Sequence, residues 1–169
     1  LAYSTEIIKE FGKAYIDAGA EIILFDSQAS PELLSPKMYC EYVLPSTKEL
    51  IDFFGELGVR DVPLIIGGKT NRIIDSLIET GANNLLCDFT ADWDTWSAQC
   101  RESKRSLRRN ISPRFVETAT PDEIYQFSKQ IVAEGIDTPG FIMGTAVVPY
   151  GTPTENLLAV KRACLEVSG

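Results

Sequence analysis

Apolar residues recur at helical spacing through STEIIKEFGKAYIDAG, where Ile7, Ile8, Phe11, Ala14, Tyr15 and Ala18 share one face and Gly19 ends the run. The spacing predicts an amphipathic helix with that face turned inward. EIILFDS follows at once, short, β-branched and without alternation, the pattern of a strand covered on both faces of a parallel sheet. Ser35-Pro36 then supplies an N-cap and a proline for a first helical turn. The helix carries Met38, Tyr39, Tyr42, Val43 and Leu44 onward to Leu57, with a kink or restart expected at Pro45.

The pattern repeats to the end of the chain. VPLIIGG, NNLLCDFT and GFIMGTA read as strands and SLRRNIS as a weaker one. Between them NRIIDSLIETG, ending at Gly81, DTWSAQCRES and TPDEIYQFSKQIVAEG read as helices. The last has a full capping box, Thr120 with Glu123, and stops at Gly135. TPTENLLAVKRACLEVSG closes the chain, with Thr152, Pro153 and Glu155 repeating the capping pattern.

Five strands alternating with helices imply a parallel sheet with right-handed crossovers, either doubly wound or part of a (β/α)8 barrel. A doubly wound nucleotide fold asks for a glycine-rich phosphate loop. Neither G-x-G-x-x-G nor a full Walker loop occurs, and GGKT at Gly67 to Thr70 lacks the earlier glycine. The expectation is therefore α/β, TIM-barrel type, as a single partial domain over residues 1–169. It would hold about five C-terminal βα units, with about three strands absent on the N-terminal side.

Composition narrows the function classes. A chain that is 44% hydrophobic can bury one sizeable core, and a net charge of −8 disfavours nucleic acid and anionic membrane. Without a long apolar run or the ordering of a signal peptide in LAYSTEIIKE, a cytoplasmic location is expected. Cys40, Cys87, Cys100 and Cys164 form no C-x-x-C pair and suit reduced thiols. There is no histidine, which removes Ser-His-Asp and Cys-His systems and imidazole metal ligation.

In parallel α/β folds the chemistry gathers at the C-terminal strand ends. Asp26 and Asp88 each follow a nearly wholly apolar strand, so each is either a catalytic carboxylate or a loop group satisfying backbone amides. Ser27, Lys69, Thr70, Asn110 and Tyr150 are the substrate-binding candidates; Asn71, Thr90 and Thr145 lie at the same level. Of the Arg108-Arg109 pair, at least one is expected to point outward or meet a carboxylate. Trp93 and Trp96 read as packing residues rather than a cofactor box.

The stretch FDSQASPELLSPKMYCEYVLPSTKELID, followed by VPLIIGGKTNRIIDSLIETGANNLLCDF, resembles the uroporphyrinogen decarboxylase superfamily, and within it the cobamide-dependent methyltransferase branch. ETGAN before a strand ending in Asp88, NISP after the next strand and PYGTPTEN after the last come in the matching order. The resemblance covers nearly the whole chain and implies the C-terminal half or more of a family barrel. In that branch the strand matching PLIIGGKT carries a His-x-Cys pair and the loop matching GTAVVP a further Cys. These hold a zinc ion that keeps a thiol acceptor deprotonated. The matching positions here are Ile65, Gly67 and Ala146, so the resemblance implies no zinc and no tightly bound cofactor. The decarboxylase branch has a histidine at the position of Ala146, and Tyr39 need not match its active-site tyrosine.

Three functions follow. The first is a corrinoid-linked methyltransferase with a small-molecule substrate that is not a zinc-activated thiol, served by methylcobalamin or a methylcobamide on a separate corrinoid protein. The second is a uroporphyrinogen decarboxylase-type carboxy-lyase, disfavoured because only Lys69 is cationic among the strand-end candidates. The third is a non-catalytic fragment or remnant, inactive alone and able to form a homo-oligomer that covers the incomplete barrel.

Overall fold

A computed structural model describes residues 1–26 and 28–167. Helix α1 (Ala2–Asp17) leads into β1 (Leu24–Phe25), and a short α2 (Pro36–Met38) runs through a π-helical turn, Tyr39–Val43, into α3 (Leu44–Glu56). The order continues β2 (Leu64–Ile65), a 3-10 turn at Thr70–Ile73, α4 (Ile74–Glu79), β3 (Asn84–Cys87), α5 (Trp93–Glu102) and β4 (Ser106–Ile111). Then come α6 (Pro113–Thr118), α7 (Pro121–Gly135), β5 (Ile142–Thr145) and α8 (Thr154–Val167).

All five strands are parallel and lie in chain order, β1-β2-β3-β4-β5. A doubly wound sheet reverses direction part-way; this one winds in one direction, as a barrel does. Register shows which face the helices cover. Leu24, Leu64, Leu85 and Leu107 align across the strands, and the last three are fully buried in the core shared with α3, α4 and α5. The alternate row contains Phe25, 68% exposed, Ile65, Arg108 and Ile142, 47% exposed. One face is core; the other is open. The fold is α/β and matches a partial TIM-type barrel.

Strand lengths depart from the sequence expectation in both directions. The runs EIILFDS and VPLIIGG each contribute only two ladder residues. Pro63 has no N–H to give at the start of β2, and Gly68, at φ +85°, turns the chain out of the sheet at its end. SLRRNIS, the weaker candidate, becomes the six-residue β4, paired on both sides. Helix α6 was not anticipated; Ser112 and Pro113 occupy its N-cap and first turn.

Pro45 acts as expected. It sits in the first turn of α3, and the widened π turn just before it accommodates the missing N–H. The capping box of α7 forms with both Thr120 and Glu123 engaged. At α8 the expected cap does not form: the Thr152 hydroxyl is buried without a partner. Its backbone N–H is held in a turn on the Pro149 carbonyl at 3.0 Å, so the helix starts one step later. Helix α1 also differs, because Thr5 and Gly12 are buried while Ile7, Ile8, Phe11 and Tyr15 are exposed. Gly12 is the reason: a Cβ there would lie 2.2 Å from the buried Phe54 ring, so this narrow side of the helix meets α3.

A second cluster, built on Ile111, Val116, Ile124, Ile131, Ala159 and Val160, packs α6, α7 and α8 behind β4. Buried Asn156 ties α8 to the end of α6 through the Val116 and Ala119 carbonyls, at 2.8 and 3.1 Å. Among the described residues, no helix is long and apolar enough to cross a membrane.

Candidate functional site at the strand ends

The open face of the sheet ends in a cavity of about 890 Å³. Because alternate residues of a strand face opposite sides, β3 sends Leu86 to it, Asp88 just beyond the strand reaches it too, and β4 sends Arg108 and Asn110. Phe25, Leu33, Ile65 and Phe89 form apolar wall, and Thr145, Ala146 and Val147 close the side after β5.

Asp88 is only 7% exposed. Its Oδ2 accepts the Gly68 N–H at 3.0 Å and the Thr90 hydroxyl at 3.2 Å. Among the described residues its Oδ1 has no hydrogen-bond partner. Asn110, 8% exposed, accepts from Arg108 Nε through Oδ1 at 3.1 Å, and Arg108 Nη2 donates to the Thr145 carbonyl at 3.3 Å. Gly144 leaves the space for this arrangement, since a Cβ there would stand 2.8 Å from Arg108 Nε, Arg108 Nη2 and Asn110 Oδ1. Gly68 is similarly constrained: a Cβ would meet Glu32 Oε2 at 2.1 Å and Ser30 Oγ at 2.6 Å. Ser30 and Glu32 are themselves hydrogen-bonded at 2.6 Å and line the same cavity.

The arginine pair divides by strand alternation. Arg109 faces the helices, where Nη1 meets Glu134 Oε2 at 2.5 Å and the guanidinium lies 4.3 Å from the Trp93 ring. That hydrogen bond is the main reason the Glu134 carboxyl titrates below its ordinary value. Arg108 faces the cavity. Spacing alone says only that the two arginines face opposite ways, so the sequence does not single out Arg108; its i, i+2 relation to Asn110 is the available signal.

The other sequence candidates disperse. Asp26 is half-buried outside the cavity lining, and its Oδ1 accepts the Gln28 N–H at 3.0 Å, the Asx-turn role. Tyr39 is fully buried with an unpartnered hydroxyl, held protonated first by burial and next by the negative charge of Asp26. Lys69 is exposed and heads the 3-10 turn, while Thr70 is wholly buried with no partner for its hydroxyl. Asn71 caps the next loop by accepting the Asp92 N–H at 2.9 Å. Tyr150 stands fully in solvent. Ser27 lies outside the described residues.

Ile65, Gly67 and Ala146 do come together on this cavity. They offer carbon and backbone only, so the donor set does not fit a zinc ion. Among the described residues, no three His, Cys, Asp or Glu side chains are grouped as a metal site requires. Among the described residues no cysteine lines the cavity. Cys87 faces the helix side, where burial pushes its thiol up to about 12.

The uroporphyrinogen decarboxylase (URO-D) family model matches residues 1–167. The chain belongs to that family. Uroporphyrinogen decarboxylase relatives include one from Carboxydothermus hydrogenoformans, 30% identical over 85% of this chain and 40% of its own length. A methylated-thiol–coenzyme M methyltransferase from Methanosarcina mazei is 30% identical over 96% of this chain and 42% of its own. This family member thus spans less than half the length of these relatives. A solved methyltransferase structure from Methanosarcina mazei superposes with a TM-score of 0.83 at 21% identity, over 98% of this chain and 48% of that one. At that identity the likeness speaks to fold.

Proposed function

We propose that this chain forms the substrate-facing part of a methyltransferase barrel that exchanges a methyl group with a corrinoid on a separate protein, the other substrate being no zinc-activated thiol. One observation carries the reading: Ile65, Gly67 and Ala146, without a ligating side-chain atom among them, line the same cavity as Asp88, Arg108 and Asn110. When docked, a methylcobamide supplies a methyl group without its bonding electrons, so the acceptor must present a lone pair. This chain's part is then placement and electrostatics. Asp88 Oδ1 accepts a hydrogen bond from the acceptor, Arg108 and Asn110 fix its far end, and Phe25, Leu33 and Phe89 supply apolar surface beside it. Glycine at 68 and 144 keeps both polar groups in place.

Methyl transfer from free methylcobalamin by the full-length protein, followed by the cobalamin absorbance against thiol, folate and amine acceptors, tests this. Transfer to a folate or an amine supports it; no transfer to any of the three classes sinks it. Arg108 gives the carboxy-lyase reading a specific support, because a cavity cation is present after all. The carboxylates of Asp88 and Glu32 on the same cavity oppose a polycarboxylate, and carbon dioxide release from one would reverse the preference.

A further inference from the structure

We propose that the cavity takes a dipolar small molecule, its oxyanion on Arg108 and its cationic group on Asp88. The site is the one assigned above, and the inference deepens that reading by naming the substrate class; it does not depend on which bond is made or broken there.

Charges of both signs on one cavity, none of them in an ion pair, are the first support. Among the described residues neither Arg108, Asp88 nor Glu32 belongs to an ion pair; the pairs present join Lys9, Lys13 and Arg109 to carboxylates elsewhere. Asp88 is almost completely buried, and a carboxylate kept there without a cation carries a desolvation cost that a ligand cation relieves. Arg108 touches only neutral oxygens, the Asn110 carboxamide and the Thr145 carbonyl. Of its five N–H donors these use two, leaving the rest of the planar fork for a carboxylate, sulfonate or phosphonate.

The register places the two charges two positions apart along neighbouring strands. Cys87 is level with Arg109 across the β3–β4 ladder, so Asp88, one residue on, stands beside Asn110, which itself holds the Arg108 guanidinium. Gly144 supplies the cradle, since any side chain there would occupy the space of the Arg108–Asn110 pair.

The walls decide between ligand classes. A purely anionic molecule would meet the Asp88 and Glu32 carboxylates, and a purely cationic one would meet Arg108. A molecule with both ends satisfies each. Phe25, Leu33, Ile65 and Phe89 suit an apolar spacer between them, and the two phenyl rings favour an ammonium over a neutral donor.

The test is calorimetric titration of the full chain with γ-aminobutyrate, butyrate and butylammonium at neutral pH and low salt. The dipolar probe should bind about tenfold more tightly than either single-ended one, the effect of one added charge-assisted contact. Arg108→Gln should reduce γ-aminobutyrate to the affinity of butylammonium, and Asp88→Asn to that of butyrate. Asn at position 88 still accepts from Gly68, and circular dichroism checks the fold. Gly144→Ala keeps both charges but displaces the guanidinium, so it too should weaken binding, whereas Arg109→Gln should leave it unchanged. Butyrate binding as tightly as γ-aminobutyrate, affinities indifferent to Arg108→Gln and Asp88→Asn, or no saturable binding of the dipolar probe would each overturn the inference. Dipolar binding without methyl transfer would overturn the proposed reaction and leave this site standing; methyl transfer without dipolar binding would do the opposite.

Discussion

Asp88 is legible because it follows an apolar strand, Asn110 only because it lies near the C-terminal end of the next one, and both line the cavity. Arg108 is not, since a sequence gives alternation but not which of two faces is the inner one. The deciding contacts, Arg109 with Glu134 and with Trp93, join residues distant in the chain. The same alternation governs the cysteines. Burial pushes the Cys87 thiol up to about 12 and Cys100 to about 11, whereas Cys40 is exposed beside the Ser76 hydroxyl at 3.2 Å. Thiolate is the reactive form, so native alkylation followed by peptide mass mapping should modify Cys40 first and spare Cys87 and Cys100 until the protein unfolds. Rapid native labelling of Cys87 would contradict the assigned face of β3.

At the scale of elements, hydrophobic spacing locates the longer helices but neither α6 nor what covers them. The apolar residues of α1 share one face but are exposed, and contact with α3 goes through Thr5 and Gly12 because only a side without bulk lets the Phe54 ring approach. Gly12→Ala tests this by sign. Helix propensity alone would add up to about 1 kcal/mol of stability. A Cβ at 2.2 Å from a buried ring is overpacking, which costs about 1–3 kcal/mol and should win, giving a lower urea midpoint. Strand lengths were less legible, because ladder hydrogen bonds depend on the neighbouring strand. The Arg109–Glu134 contact links β4 to α7 and is pH-dependent. Glu134 titrates below its ordinary 4.5 when folded, so its contribution is present above that value and fades as pH falls through the lowered one. Glu134→Gln should therefore cost about 1 kcal/mol or less at neutral pH, and nothing at acid pH where the native carboxyl is protonated. A constant difference across that range would contradict the pairing.

At the scale of the molecule, strand–helix alternation pointed to a parallel sheet, and the strand order with one covered face makes it barrel-like rather than doubly wound. The open face carries exposed Ile23, Phe25 and Ile142 beside the charged cavity, an apolar surface of the kind proteins cover. Family membership follows from the match over residues 1–167, and the proposed departure from a zinc-thiolate site is supported by Ile65, Gly67 and Ala146 lining one cavity. The most direct measurement is the methyl-transfer rate of the full-length protein before and after exhaustive treatment with a zinc chelator, with Arg108→Gln alongside. Transfer unchanged by the chelator and strongly reduced in Arg108→Gln is the predicted result; transfer abolished by the chelator and restored by zinc would contradict it.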